Sequence, residues 1–551
     1  MPDTWLAYGG RVAGAGRGSP WSQALLVHSG RVVTTGPRER LLRLAPPGTT
    51  QIDLGGATVL PALTDSHCHL LGAALAAEGL DLSDALDKHA ILALVAGEAH
   101  RLEHLGATAD WVVGRGWDES SMRDATLPTR TELLRASAGH PVLLWRTCGH
   151  VALVAGLAGD DEAGRQSSVV ATHPETDALV AEAAAARTAA LQPTPPVARV
   201  QAALRSMIRQ AWSRGLVAAH ANDVESAAEF NAVMQVYREV LADSPFRVML
   251  DWAESASPQV EEYVRPIPAT LPLPTGLFLF QEELPRTRSW LMLGGAKFYV
   301  DGSLGARTAA LNEPYADRPG WRGVLRYEPT ALQERVGELA GKGAQIVMHA
   351  IGDAALDAAL DALTSLRHPN GTSSRLPHRI VHAQLLPPEA PQRMATLGVM
   401  ADIQPQFLLT DSRFAVAALG SRRLSHSYAW RTLARAGVRL AGGSDAPVER
   451  LDPLAGIEAA QGRGFQSQPG WDWTATEALS ADEALQLYTE APAWEEGCSD
   501  RGSFSAGALA DVVVVSMDEQ NEPAVRCTLI GGSPVYGNDW WRGRIVGPGA
   551  S

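Results

Sequence analysis

Along the 551 residues, apolar runs at strand spacing alternate with stretches whose apolar positions recur three and four apart. The first strand-like run is TVLPALTDSHCHL, residues 58–70. It is followed by GLVAAH ending at His220, FRVMLDW ending at Trp252, GAKFYVD with Lys297, and QIVMHA with His349. RIVHA with His382, GVMADIQP, and VRLAGGSD ending at Asp445 complete a set of eight. Helix-like stretches such as VARVQAALRSMIRQAWSRG, ALQERVGELAGKG and DAALDAALDALTSL lie between them. Strand–helix alternation of this kind predicts parallel βαβ units, and eight units predict an α/β fold with a (β/α)8 TIM-like barrel.

The two ends of the chain read differently. Residues 1–58 are short β segments, and LLVHSGRVVTTG is a pair of strands around a Ser29-Gly30 turn. After Cys498, GSFSAGALADVVVVSMD and AVRCTLIGGSPVYG have the same texture. Each end has too few strands to bury a core alone. Residues 1–58 and 490–551 are therefore expected to pair into one small β-sandwich domain beside a barrel of residues 59–489. The connection between the first and second barrel strands is too long for a simple crossover. Residues from about 72 to 212 are expected to hold an insertion, with DWVVGRGWDESS and HPVLLWRTCGHVALV as strand-like runs. Segments that follow barrel strands lie on the active-site face, so the insertion is expected to cover the site.

Composition narrows the classes of partner. Hydrophobic residues make up 46% of the chain, enough for a large core, and the formal charge is −14. An acidic surface argues against a nucleic-acid or anionic-membrane partner. Four scattered cysteines without CxxC spacing are no disulfide framework or thiolate zinc site. No apolar run approaches the roughly 20 residues of a membrane span, and the first residues do not read as a signal peptide. The expectation is a cytoplasmic protein with a small-molecule substrate.

Candidate chemistry sits where the strand-like runs end. His67 and His69 are two apart, so on a strand both imidazoles face one way and can share a divalent cation. Cys68 faces the other side and reads as packing. Lys297 inside AKFYV is an odd core residue, because burying a bare ammonium is expensive. His349 and His382 each end a run, and either alone fits a structural histidine. Asp445 follows two glycines that let a ligand approach closely, although an aspartate there also fits a helix N-cap.

This order of residues resembles the amidohydrolase superfamily: HxH on the first strand, Lys on the fourth, His on the fifth and sixth, Asp on the eighth. GRGWDES, RTCGHVALV, FYVDGSLGARTA, MHAIGDAAL and GGSDAPVE resemble its family 3 branch, which includes N-substituted formamide deformylase-like enzymes. The resemblance covers nearly the whole chain. It implies a hydrolase acting on carbon–nitrogen bonds other than peptide bonds, with one or two divalent ions, usually zinc. His67, His69, Lys297, His349, His382 and Asp445 would hold the metal, and a Lys297 carboxylated by CO2 would bridge two ions. Asp445 would take the proton of the activated water and pass it to the leaving nitrogen. His150 would polarise the scissile carbonyl. Trp117, Arg146 and Arg307 are the substrate-binding candidates. For Arg307 a surface salt bridge, and for His150 a structural role, are the competing uses. Asp301 would orient a ligand, and Asp353 fits a helix cap.

Ala155 stands where relatives often have Asn, and Ala306 where many have Ser, which touches substrate choice more than reaction. The implied substrate is a small amide, with an N-substituted formamide as the leading example. A cyclic amide hydrolase or deaminase on the same scaffold, or a non-catalytic metal-binding relative, are the alternatives. A homodimer would be unsurprising.

Overall fold

The computed structural model describes residues 3–16, 18–106, 110–124, 126–147, 149, 151–156, 176–181, 191–264, 281–284, 289–366, 376–412, 414–462 and 474–546. Its centre is eight parallel strands: β1 (Leu63–Cys68), β2 (Leu216–Val224), β3 (Arg247–Ala253), β4 (Ser289–Tyr299), β5 (Ile346–Ala350), β6 (Arg379–His382), β7 (Met400–Ile403) and β8 (Leu440–Gly442). They neighbour one another in chain order from β1 to β8. All nine residues of β2 and all seven of β3 are buried. Strands covered on both faces read as continuous apolar runs, which is why they stood out in the sequence. The expected TIM-like barrel is thus present.

The barrel closes through the turn after β8. Asp445 N–H donates to His67 O at 2.7 Å, and His69 N–H donates to Ala446 O at 2.7 Å. The Asp65 carboxylate accepts from Ser444 N–H at 3.1 Å. A Cβ on Gly443 would come within 2.6 Å of the His67 backbone nitrogen, so only glycine permits this seam.

Strands from both chain ends share a second sheet. Thr58–Pro61 pairs antiparallel with Val512–Met517, which continues through Pro523–Ile530 to Ser533–Tyr536. On the other side, Thr4–Val12, Ser22–His28 and Arg31–Gly36 follow in order. Asp511 joins this sheet to the barrel: both its oxygens bind the buried Arg247 guanidinium at the start of β3, at 2.6 and 3.1 Å.

A third, five-stranded sheet occupies the connection after β1. Its order is Leu179–Ala181, Val151–Ala155, Val142–Arg146, Val112–Trp117, Leu80–Asp81. The helix Lys88–His104, capped by Asp87, lays Ile91, Val95 and Ala99 onto it. Ala306, from the loop after β4, belongs to the same cluster and ties the insertion to the barrel. Helix Val197–Ser213 packs on helix Leu70–Ala76 and on β2, so it serves as the barrel's own crossover. Among the described residues no helix is long and apolar enough to cross a membrane.

Candidate active site

The distant histidines, the lysine and the aspartate converge at the C-terminal ends of the barrel strands, the face where such barrels place chemistry. His67 is the penultimate residue of β1 and His69 lies just beyond its end, Lys297 is near the end of β4, His349 near the end of β5, and His382 closes β6. Asp445 lies three residues past β8. His67 Nε2 and His69 Nε2 are each 3.4 Å from Asp445 Oδ1. Lys297 Nζ is 3.3 Å from His67 Nε2. The His382 ring centroid lies 5.9 Å from that of His67 and 4.6 Å from that of His349.

In three of these rings Nδ1 faces an acceptor, whereas the buried Nδ1 of His67 has no hydrogen-bond partner among the described residues. His69 Nδ1 is 3.3 Å from Glu225 Oε1, His349 Nδ1 is 3.0 Å from Asp301 Oδ1, and His382 Nδ1 is 2.6 Å from Gln404 Oε1. An acceptor on Nδ1 fixes the tautomer that leaves Nε2 with its lone pair, the form a metal requires. Glu225 and Gln404 went unnoticed in the sequence. Each sits one residue past a strand, β2 and β7, that supplies no candidate ligand. The signal that would have found them is a carboxylate or amide at the same end position as the histidines.

The residues present fit a divalent cation. Two imidazole nitrogens and a carboxylate oxygen, from His67, His69 and Asp445, lie within 4.8 Å of one another, the donor types that suit zinc and its neighbours. Burial, reinforced by the Lys297 charge, pushes His67 well below the usual imidazole range, and burial with the neighbouring His349 does the same to His382. Both rings are therefore neutral, the form in which an imidazole can ligate. Burial alone would raise Asp445, but hydrogen bonds from His67 and His69 outweigh it and hold the carboxyl well below the carboxylate range. His69 also loses by burial, yet its bonds to Asp445 and Glu225 carry it up to about 10. That proton must leave when a cation takes its place. Lys297, 1% exposed, is pushed down to about 8 by burial, with Asp445, Asp251 and Glu225 pulling the other way.

Above this cluster opens a cleft. His349, His382 and Asp445 lie along it, with Leu304, Ile351 and Phe407 as apolar wall. Arg146 reaches it from the insertion, its guanidinium bound by Asp118 at 2.8 Å and Glu119 at 2.7 Å. Two expected substrate contacts fall elsewhere. Trp117 is 1% exposed, belongs to the insertion's core and donates its Nε1–H to Leu144 O at 2.7 Å. The large apolar ring was needed for packing there. Arg307 is not among the cleft residues; it pairs with Asp317 at 2.6 Å, the salt-bridge use foreseen as its competitor. His150 lies outside the described residues. Asp301 accepts three backbone N–H bonds, from Ala310, Ile351 and Gly352, besides facing His349. Cys68 is buried with its sulfur towards His220 O, as packing.

A profile of the amidohydrolase family matches residues 50–536, most of the chain. The chain belongs to the amidohydrolase family. This amidohydrolase is 32% identical over 542 residues to YtcJ of Bacillus subtilis (strain 168), a protein with an amidohydrolase name, covering 94% of this chain and 96% of that one. It is 25% identical over 516 residues to the N-substituted formamide deformylase of Arthrobacter pascens, with 90% of each chain covered. Among solved structures it resembles a metal-dependent hydrolase of Pyrococcus horikoshii OT3, with TM-score 0.72, 25% identity, and 94% and 98% of the two chains covered. These relatives agree with the cluster in pointing to a hydrolase with a divalent metal.

Proposed function

We propose that this amidohydrolase cleaves an amide-type C–N bond of a small molecule, with an N-substituted formamide as the leading substrate and zinc as the metal. The observation that carries the reading is the meeting of His67 Nε2, His69 Nε2 and Asp445 within 4.8 Å, beside a buried lysine amine 3.3 Å from His67. When bound, the metal supplies a Lewis acid that acidifies water and polarises a carbonyl. His67 and His382 present neutral nitrogens to hold it, with His349 beside them, and His69 would give up its proton to join them. Lys297, with its amine near 8, has a free fraction at neutral pH that can add CO2. In that reaction a new N–C bond forms and a proton leaves, and the resulting carbamate anion would be a further oxygen ligand for the metal. Asp445 accepts the attacking water's proton and delivers it to the departing nitrogen, so an acid and an amine leave. From a formamide these are formate and the amine. His150 is assigned to the carbonyl oxygen. The deformylase relative supports the choice of substrate.

The test pairs metal analysis of the purified protein with a screen of amides for amine release, in wild type and Asp445→Asn. Metal with amine release in the wild type, and metal retained without release in the variant, is the expected result. Stoichiometric metal with no hydrolysis of any amide, ester or imide would defeat the proposal in favour of a metal-binding relative.

A further inference from the structure

Asp411 is a buried carboxylate on the cleft wall that the hydrolytic scheme does not use. The Phe407 ring stacks on His382, with centroids 5.7 Å apart and planes at 19°. A short helix, Phe407–Asp411, starts at that stack and ends one turn later. Residues four apart on a helix share a face, and both Phe407 and Asp411 line the cleft. Asp411 Oδ2 accepts from Gln384 Nε2 at 2.7 Å and from Tyr428 OH at 2.5 Å. Gln384 Nε2 also donates to Tyr428 OH, which locks the pair that grips the carboxylate. Oδ1 makes no hydrogen bond among the described residues, and the side chain is only 9% exposed. A pinned carboxylate thus offers one open oxygen to the cleft.

The charge of the wall points the same way. Its guanidinium, on Arg146, is already bound by Asp118 and Glu119. Among the described cleft residues beyond the metal cluster, the carboxylates Asp118 and Asp411 outnumber that one guanidinium. The same cleft wall carries apolar surface from Leu304, Ile351 and Phe407.

We infer that Asp411 selects the substrate: it binds a cationic, N–H-donating group at the far end of the leaving amine, across an apolar spacer, and disfavours substrates that carry a carboxylate there. The inference rests on the amide-hydrolase reading and adds the chemistry of the group remote from the scissile bond. Burial raises the Asp411 carboxyl to about 6 against the bonds from Tyr428 and Gln384, which leaves it ionised at neutral pH.

Three formamides of similar length test it on the metal-loaded full chain: mono-N-formyl-pentane-1,5-diamine, N-formylhexylamine and N-formyl-6-aminohexanoate. The expected order of kcat/KM is cation, then neutral, then anion, with about tenfold or more between the first two, as a charge-assisted hydrogen bond provides. Asp411→Asn keeps an acceptor for Gln384 and Tyr428 and removes the charge. In this variant the cation-to-neutral ratio is expected to fall towards one, mainly through KM. Equal losses on all three substrates would mean that Asp411 only supports the wall, and would overturn the inference. So would a wild-type preference for the anion. Binding of pentane-1,5-diamine by calorimetry gives a readout without turnover: tighter binding to the wild type than to Asp411→Asn supports the inference, and equal binding overturns it. No turnover of any formamide alongside that difference in binding would strike at the hydrolase reading alone.

Discussion

His382 and Asp445 hold left-handed backbone, with φ of 76° and 54°, although neither is glycine. Such conformations cost on the order of 1–3 kcal/mol each and persist where surrounding bonds overdetermine them. Here the Asp445 N–H bond to His67 O and the Gln404 bond to His382 Nδ1 do so. Replacing Gln404 with Ala is expected to weaken metal binding about 10- to 100-fold, as loss of a ligand-orienting partner does. A competitive chelator titration reads the change, and an unaltered affinity would show that the ring needs no such support. The candidate ligands were legible because each interrupts an apolar run with a polar side chain. Their partners were not, because Glu225 and Gln404 look like ordinary loop residues until the strands are side by side. Trp117 misled for the opposite reason: a conspicuous aromatic in a motif resembles a pocket residue, whereas the insertion needed its bulk for its own core.

Among the strands, all eight of the barrel were legible, but their limits less so. β2 continues past His220 to Val224 because its polar end is satisfied: Asp223 accepts from Leu71 and Gly72 N–H and from Tyr237 OH. Those partners lie far off in sequence and could not be anticipated. The seam between β8 and β1 depends on Gly443. Gly443→Ala is expected to force the turn away from His67, lowering metal content while far-UV circular dichroism stays near wild type; full metal content in that variant would contradict the close approach. A second element-level prediction concerns His378, whose Nδ1 accepts the Ile346 N–H at the start of β5, at 3.0 Å. Burial pushes this imidazole down to about 4. Between about 6.5, its unfolded value, and 4, the unfolded chain takes up a proton that the folded one refuses. Its contribution to stability is therefore complete above that window and is lost as the pH falls through it. The difference in unfolding midpoint between wild type and His378→Asn should change across that interval and stay level from pH 7 to 8.

At the scale of the molecule, the acidic chain divides into barrel, insertion and a sheet drawn from both ends. What could not be read was the bolt between sheet and barrel, the buried Arg247–Asp511 pair. Arginine on a strand and aspartate before another carry no mutual signal across 264 positions. Asp511→Ala leaves the guanidinium buried without its counter-ion, at an expected cost of about 3–5 kcal/mol. Denaturant unfolding checks this, and a loss below about 1 kcal/mol would mean that water reaches the arginine.

The pairing of Thr58–Pro61 with Val512–Met517 also bears on the birth of the protein. Translation runs from the amino end, so Thr58–Pro61 emerges with one flank bare and stays so until the intervening barrel has been made and Val512–Met517 follows. For that interval an unprotected edge is available to other nascent chains. Chaperone supply while the barrel between the two strands is being made should therefore govern the yield of native protein.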